Sequence, residues 1–118
     1  MLKVSELIVD LYDCQSDLDD EEFLRSTLES AANKVNAKII QRITQKYSPS
    51  GTSVILILAE THISVHTWPE YGYAALDIFI CGEGKNPETA WEVVRDSMKP
   101  ASFKINRIVR TIGNDRRV

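Results

Sequence analysis

The stretch Ser53-Val54-Ile55-Leu56-Ile57-Leu58-Ala59 contains the longest apolar run of the chain, Val54 to Ala59. Its unbroken Val, Ile and Leu residues suit a central β-strand covered on both faces, although periodicity alone also admits a short buried helix. The run is far too short to cross a bilayer. Just upstream, Lys38 to Tyr47 carries Ile39, Ile40, Ile43 and Thr44 and reads as another strand, closed by the turn-forming cluster Ser48-Pro49-Ser50-Gly51.

Farther out towards the N-terminus, Leu7, Val9 and Leu11 alternate with Ile8, Asp10 and Tyr12, which predicts a first strand ending in the polar cluster Asp13 to Asp20. A helix follows. Asp17, Asp19, Asp20, Glu21 and Glu22 put acid where a helix dipole favours it, and Phe23, Leu24, Leu28, Ala31, Ala32 and Val35 recur on one face. On the C-terminal side, Tyr73 to Cys81 alternates until Gly82-Glu83-Gly84-Lys85 stops it. Asn86 is an N-cap with Pro87 at the first helical position, opening a helix through Trp91, Val94 and Met98 that Lys99-Pro100 ends. Phe103 to Ile112 predicts a last strand, and Gly113 to Val118 a frayed tail. The order is strand, helix, three or four strands, helix, strand. It predicts an α+β fold over residues 1–118, a single two-layer α/β sandwich with a mostly antiparallel sheet and two helices on one face. The other face then needs a partner.

At 118 residues the chain is one domain able to bury about two-thirds of its unfolded surface. A net charge of -3 argues against a nucleic-acid footprint, and Arg110, Arg116 and Arg117 read as a solvated tail. Met1 to Glu6 lack a basic stretch leading into an apolar core, so no membrane association and a cytoplasmic location are expected. In that setting Cys14 and Cys81 are thiols.

Both histidines lie between Ala59 and Tyr73, behind the dipeptide Glu60-Thr61. A hydroxyl beside a peptide carbonyl can take over the acyl group as an ester, and such an ester can break by β-elimination. His62 and His66 are four apart, a metal-ligand spacing on a helix, but Ile63, Val65 and Pro69 favour an extended segment and no third ligand is evident. No metal is expected. In an extended segment His62, Ser64 and His66 share one face while Thr61 points to the other, so a contact between His66 and residue 61 requires a bend or a bulge. Taken singly, each residue also has an ordinary reading: Thr61 as a strand threonine, Cys81 as a small buried hydrophobe, Ser53 as a turn hydroxyl, Glu70 as a solvated acid, and Trp68 and Tyr47 as core aromatics.

The run Glu60-Thr61-His62-Ile63-Ser64-Val65-His66-Thr67-Trp68-Pro69-Glu70-Tyr71-Gly72-Tyr73 closely resembles the signature of the prokaryotic, pyruvoyl-dependent S-adenosylmethionine decarboxylases, Glu-Ser-His-x-[Ser/Thr]-x-His-Thr-Trp-Pro-Glu-x-Gly-Tyr. The likeness extends through Gly51-Thr52-Ser53 and through Ala74 to Gly82. Thr61 stands where the family has the serine that becomes the pyruvoyl group, and Val4-Ser5-Glu6 replaces its usual Gly-x-His element.

The resemblance implies a proenzyme that cleaves itself between Glu60 and Thr61, giving a β chain of residues 1–60 and an α chain of residues 61–118. Serine leaves a pyruvoyl group; threonine by the same route leaves a 2-oxobutanoyl group, one methyl larger and slower to form. That group carries substrate as a Schiff base and replaces pyridoxal phosphate. The implied activity is decarboxylation of S-adenosylmethionine for spermidine synthesis, with a related arginine or ornithine decarboxylase, or an unprocessed precursor or pseudoenzyme, as the alternative. By the same resemblance His66 is the base of processing, Ser53 hydrogen-bonds at the processing centre, and Cys81 returns a proton to the substrate. Glu70 holds the ribose hydroxyls, and Trp68 and Tyr47 face the sulfonium. The family's homodimer, whose protomers complete one another's sites, is expected here. His62 and Cys14 are read as structural.

Overall fold

The computed structural model describes residues 2–81 and 84–113. Because short turns join four successive strands between the two helices, the sheet is built mainly from hairpins. The chain runs β1 (Leu2–Cys14), α1 (Glu21–Lys34), β2 (Ile39–Lys46), β3 (Thr52–Leu58), β4 (His62–Trp68), β5 (Tyr73–Ile80), α2 (Pro87–Met98) and β6 (Pro100–Ile112), with one 3₁₀ turn at Pro69–Tyr71. The strands lie in the order β2-β3-β4-β5-β1-β6, and every neighbouring pair is antiparallel. The expected two-layer α+β sandwich is the observed one, with four strands between the helices.

Local chemistry sets the element ends. The Asp20 side chain accepts the Phe23 N–H at the start of α1, and the Asn86 side chain accepts the Glu88 N–H at the start of α2 with Pro87 in its first turn. Lys99 takes a left-handed φ of 51° and turns the chain directly into β6, so that strand begins three residues before the expected Phe103. β1 likewise outruns its alternating core, because its pairing with β6 extends from Leu2↔Ile112 to Cys14↔Pro100. Backbone pairing on both sides holds Ser5 and Glu6 in strand where side-chain patterning gives no signal.

One sheet face is sealed. Along β5, Ala74, Leu76, Ile78 and Ile80 are buried while the residues between them are half-buried. The sealed face packs Leu7, Val9, Leu11, Val54, Leu56, Ile63 and Val65 against Leu24, Leu28 and Ala31 of α1 and Ala90, Trp91, Val94 and Met98 of α2. Burying each of the larger side chains contributes about 1.5–3 kcal/mol relative to exposure. The two-sided cover expected for β3 is met on one side only within the chain: Val54, Leu56 and Leu58 are buried, whereas Ile55 and Ile57 are half-buried on the open face. Ile43, Trp68 and Tyr12 are exposed on that same face. The expected tail over 114–118 and the turn residues Gly82-Glu83 lie outside the described residues.

Candidate active site

At one end of the sheet, Ala59-Glu60-Thr61 forms the tight turn between β3 and β4. The Leu58 N–H donates to the Thr61 carbonyl at 2.8 Å, closing the hairpin, and the Ala59 N–H donates to the Lys38 carbonyl at 2.9 Å. Cys81 follows β5 directly and stands beside this turn, because the register pairs His62 with Phe79. Its thiol is hydrogen-bonded to the Glu60 carboxylate, which together with partial desolvation and the Glu60 charge holds its pKa above the ordinary thiol value, against an opposing influence of Lys85. The turn lies between two cavities. One, of about 490 Å³, opens on the uncovered face between Ile55, Ile57, Ser64 and Phe79, where the His62 ring stands edge-on to Phe79 at 5.8 Å. The other, of about 190 Å³, is lined by Lys38, Cys81 and Lys85; Glu60 and Thr61 border both.

The opposite end of β3 and β4 carries a second constellation. Ser53 and His66 are cross-strand partners, with Ser53 Oγ 2.6 Å from His66 Nδ1 and 3.0 Å from the Tyr47 hydroxyl. They line a cleft of about 420 Å³ with Trp68, Glu70 and the turn at residues 48–51. The Ser50 hydroxyl lies 3.4 Å from Glu70 Oε2, and the Trp68 ring stacks obliquely on Tyr73 at 5.5 Å. On the same sheet face the Tyr73 hydroxyl donates to Asp10; that bond, with burial and nearby acids, pushes the phenol up to about 12.

The site residues named from the sequence therefore form two groups. Ser53, His66, Tyr47, Trp68 and Glu70 share one cleft; Glu60, Thr61 and Cys81 share the hairpin end. β4 pairs in unbroken register from His62 to Trp68, so the bend that a contact between His66 and Thr61 of one chain requires is absent. At roughly 3.3 Å per residue the two lie about 16 Å apart along the strand. Sequence reasoning missed a support beneath the cleft. Asp19 Oδ1 accepts the Gly51 N–H at 2.9 Å and the Lys46 ammonium at 3.1 Å, and these bonds hold its carboxyl below the ordinary value. Thr67 Oγ1 donates to the Leu18 carbonyl at 2.7 Å and accepts the Thr52 N–H at 3.0 Å. Asp19 sits in an acidic run whose helix-start reading hid this role; Asp20 is the residue that caps α1. Cys14 is half-buried beside Gly72, its thiol pushed up to about 11 by burial and by Asp13. Among the described residues no group of three or more His, Cys, Asp or Glu side chains is arranged to hold a metal ion, and no helix is long and apolar enough to cross a membrane.

A two-layer sandwich that keeps a hydroxyl, a glutamate and a thiol at one sheet end and a serine–imidazole pair at the other defines an α+β domain equipped for acyl and proton transfer. A profile of the S-adenosylmethionine decarboxylase family matches residues 5–111. The S-adenosylmethionine decarboxylase proenzyme of Methanococcus aeolicus is 50% identical over 105 residues, covering 88% of this chain and 90% of the relative. That of Synechococcus sp. (strain WH7803) is 45% identical over 104 residues, covering 87% and 81%. The crystal structure of the adenosylmethionine decarboxylase from Aquifex aeolicus superimposes with a TM-score of 0.87 at 29% identity, over 98% of this chain and 95% of that one. This chain belongs to the S-adenosylmethionine decarboxylase family.

Proposed function

We propose that the chain decarboxylates S-adenosylmethionine, supplying aminopropyl groups for spermidine synthesis, on an α-keto terminus made from its own residue 61. Family membership supports the reaction. One observation carries the residue assignment: the Glu60–Thr61 bond lies in a closed hairpin turn with the Cys81 thiol on the Glu60 carboxylate.

Thr61 Oγ attacks the Glu60 carbonyl carbon, and the peptide C–N bond breaks as the ester forms, leaving an amine on residue 61. A base takes the α-proton of residue 61, and Glu60 departs as a carboxylate carrying the former Thr61 oxygen. The resulting enamine tautomerises to an imine, adds water and loses ammonia, which leaves a 2-oxobutanoyl group at the head of residues 61–118. The residues fit such a group, since residue 61 borders two cavities beside the Cys81 thiol. A keto group there supplies an electron sink for the bond that breaks when the substrate loses carbon dioxide. Neither a metal nor pyridoxal phosphate is required.

Cys81 serves as the acid that returns a proton to the substrate α-carbon. A thiol with a raised pKa is protonated at neutral pH, as that task demands. Trp68 and Tyr47 offer ring faces to the sulfonium cation, and Glu70 offers two acceptor oxygens to the ribose hydroxyls.

The base is the partner's His66. One protomer holds its Ser53–His66 pair and its Thr61 at opposite ends of β4, and its uncovered sheet face presents Ile43, Ile55, Ile57, Phe79 and Trp68. Stacking two such faces about a two-fold axis buries this apolar surface and brings the Ser53–His66 end of each copy over the Thr61 end of the other. The active unit is then a homodimer with two shared sites.

The test is release of labelled carbon dioxide from carboxyl-labelled S-adenosylmethionine, run beside denatured mass analysis of the same sample. Fragments 1–60 and 61–118 with turnover support the proposal. An undivided chain without turnover, or release from arginine or ornithine in its place, overturns it.

A further inference from the structure

The Glu60–Thr61 bond separates two cavities of opposite character. The open-face cavity is flanked by Ile55, Ile57 and Phe79; the smaller one has two lysines, Lys38 and Lys85, among its lining residues beside Cys81. If the chain cleaves as proposed above, on which this inference rests, the two new ends differ sharply. Residue 61 becomes neutral. Glu60 becomes a dianion, because the departing carboxylate is added to the one on its side chain.

The backbone on each side of the break is held by a hydrogen bond. The Ala59 N–H stays bonded to the Lys38 carbonyl, and the Thr61 carbonyl stays bonded to the Leu58 N–H. The first bond lies wholly within the β chain, and the second joins the β chain to the α chain across the break. Glu60 lies one residue beyond the Ala59 tether, within the lining of the lysine cavity. A dianion left loose beside residue 61 would compete for the mouth of the open-face cavity. The two lysines that line the other cavity would draw it away, since a carboxylate that reaches an ammonium group gains charge-assisted hydrogen bonds.

We propose that the cavity between Lys38 and Lys85 is a built receptacle for the carboxylate that cleavage creates on Glu60, clearing the C-terminus of the β chain from the substrate side of residue 61. Lys38 belongs to the β chain and Lys85 to the α chain, so the receptacle also stitches the two products together.

A water-soluble carbodiimide tests this, since it joins a carboxylate only to an amine in contact with it. Processed protein is treated, denatured and digested, and Glu60 linkages are mapped by mass. Thr61→Ala protein, in which the Glu60 carbonyl remains in its peptide bond, is the blank. The expected result is a link from Glu60 to Lys85, rejoining the two chains, and a link from Glu60 to Lys38, both at least tenfold above the blank. Lys85→Ala should abolish the first while retaining the second. Equal linkage in the blank, or Glu60 coupled indiscriminately to other lysines, overturns the receptacle while leaving cleavage intact. A wild-type chain that stays undivided overturns both readings, and the denatured mass separates that outcome from the other.

Discussion

Ser53 and His66 face each other across the β3–β4 ladder with Ser53 Oγ 2.6 Å from His66 Nδ1, yet neither lies near the Thr61 of its own chain. The pair is preorganised: the Tyr47 hydroxyl, 3.0 Å from Ser53 Oγ, extends the contact into the cleft, and Asp19 anchors the turn that carries it. An imidazole oriented this firmly is useful only if a reacting atom comes to it. A second protomer supplies one in the proposed arrangement.

Thr61→Ser should accelerate self-cleavage about tenfold or more, corresponding to about 1.4 kcal/mol less barrier. The β-branched side chain of threonine is restricted at χ1 and its hydroxyl is more crowded; serine removes the methyl and keeps the chemistry. Half-times for the appearance of fragments 1–60 and 61–118 give the comparison. Equal half-times would show that the methyl has no influence.

Tyr73 should titrate late. Its pKa is pushed up to about 12, first by the hydrogen bond to Asp10 and then by burial, against an unfolded value near 10. The folded state thus holds the proton more tightly than the unfolded one. The stabilisation is fully present below about pH 10 and is lost as pH rises through about 12. Alkaline difference absorbance should resolve one of the four tyrosines ionising at about pH 12, and Tyr73→Phe should remove that step. A single midpoint near pH 10 for all tyrosines in the folded protein would contradict the assignment.

The fold was largely legible because its signals are local. Asn86-Pro87 opens a helix by side-chain capping and fixed φ, and the alternation from Tyr73 to Ile80 assigns each residue to a face. The site was legible as residue identities and less so as geometry. Alternation says that His62, Ser64 and His66 share a face, but it does not say which chain lies against that face. Ile55 and Ile57 carried the missing clue: their run promised cover on both sides, and one protomer provides it on one. Asp19 was hidden for another reason, since its partners Gly51 and Lys46 are distant in sequence and meet it only through the packing of the loop before α1 on the β2–β3 turn.

Gly51 should not tolerate a side chain. Its φ of 106° is rarely adopted by other residues, and an added Cβ would lie 3.1 Å from the Thr67 carbonyl oxygen. Its N–H is held by Asp19, and its carbonyl accepts the Tyr47 N–H at 2.9 Å, so relaxation would disturb both. Gly51→Ala is expected to cost about 1–3 kcal/mol in urea unfolding and to slow processing, because the same turn positions Tyr47 and Ser53. An unchanged urea midpoint would show that the turn yields easily.

Mixing two inactive variants discriminates a shared site from one built within a single chain. Thr61→Ala lacks the hydroxyl, and His66→Ala lacks the base, so each alone should remain undivided or, for His66→Ala, stop at an ester that hydroxylamine can cut. Co-refolded in equal amounts, about half of the dimers pair one chain of each kind. In such a dimer the His66→Ala chain keeps its own Thr61 and receives the partner's His66. That chain alone should then divide between Glu60 and Thr61, in about half of its copies by statistical pairing. The Thr61→Ala chain should stay whole throughout, and a mass difference between the two variants identifies each fragment. No division after mixing, with mixed dimers demonstrated by differential tagging, would place the base within the same chain as the hydroxyl and remove the shared site.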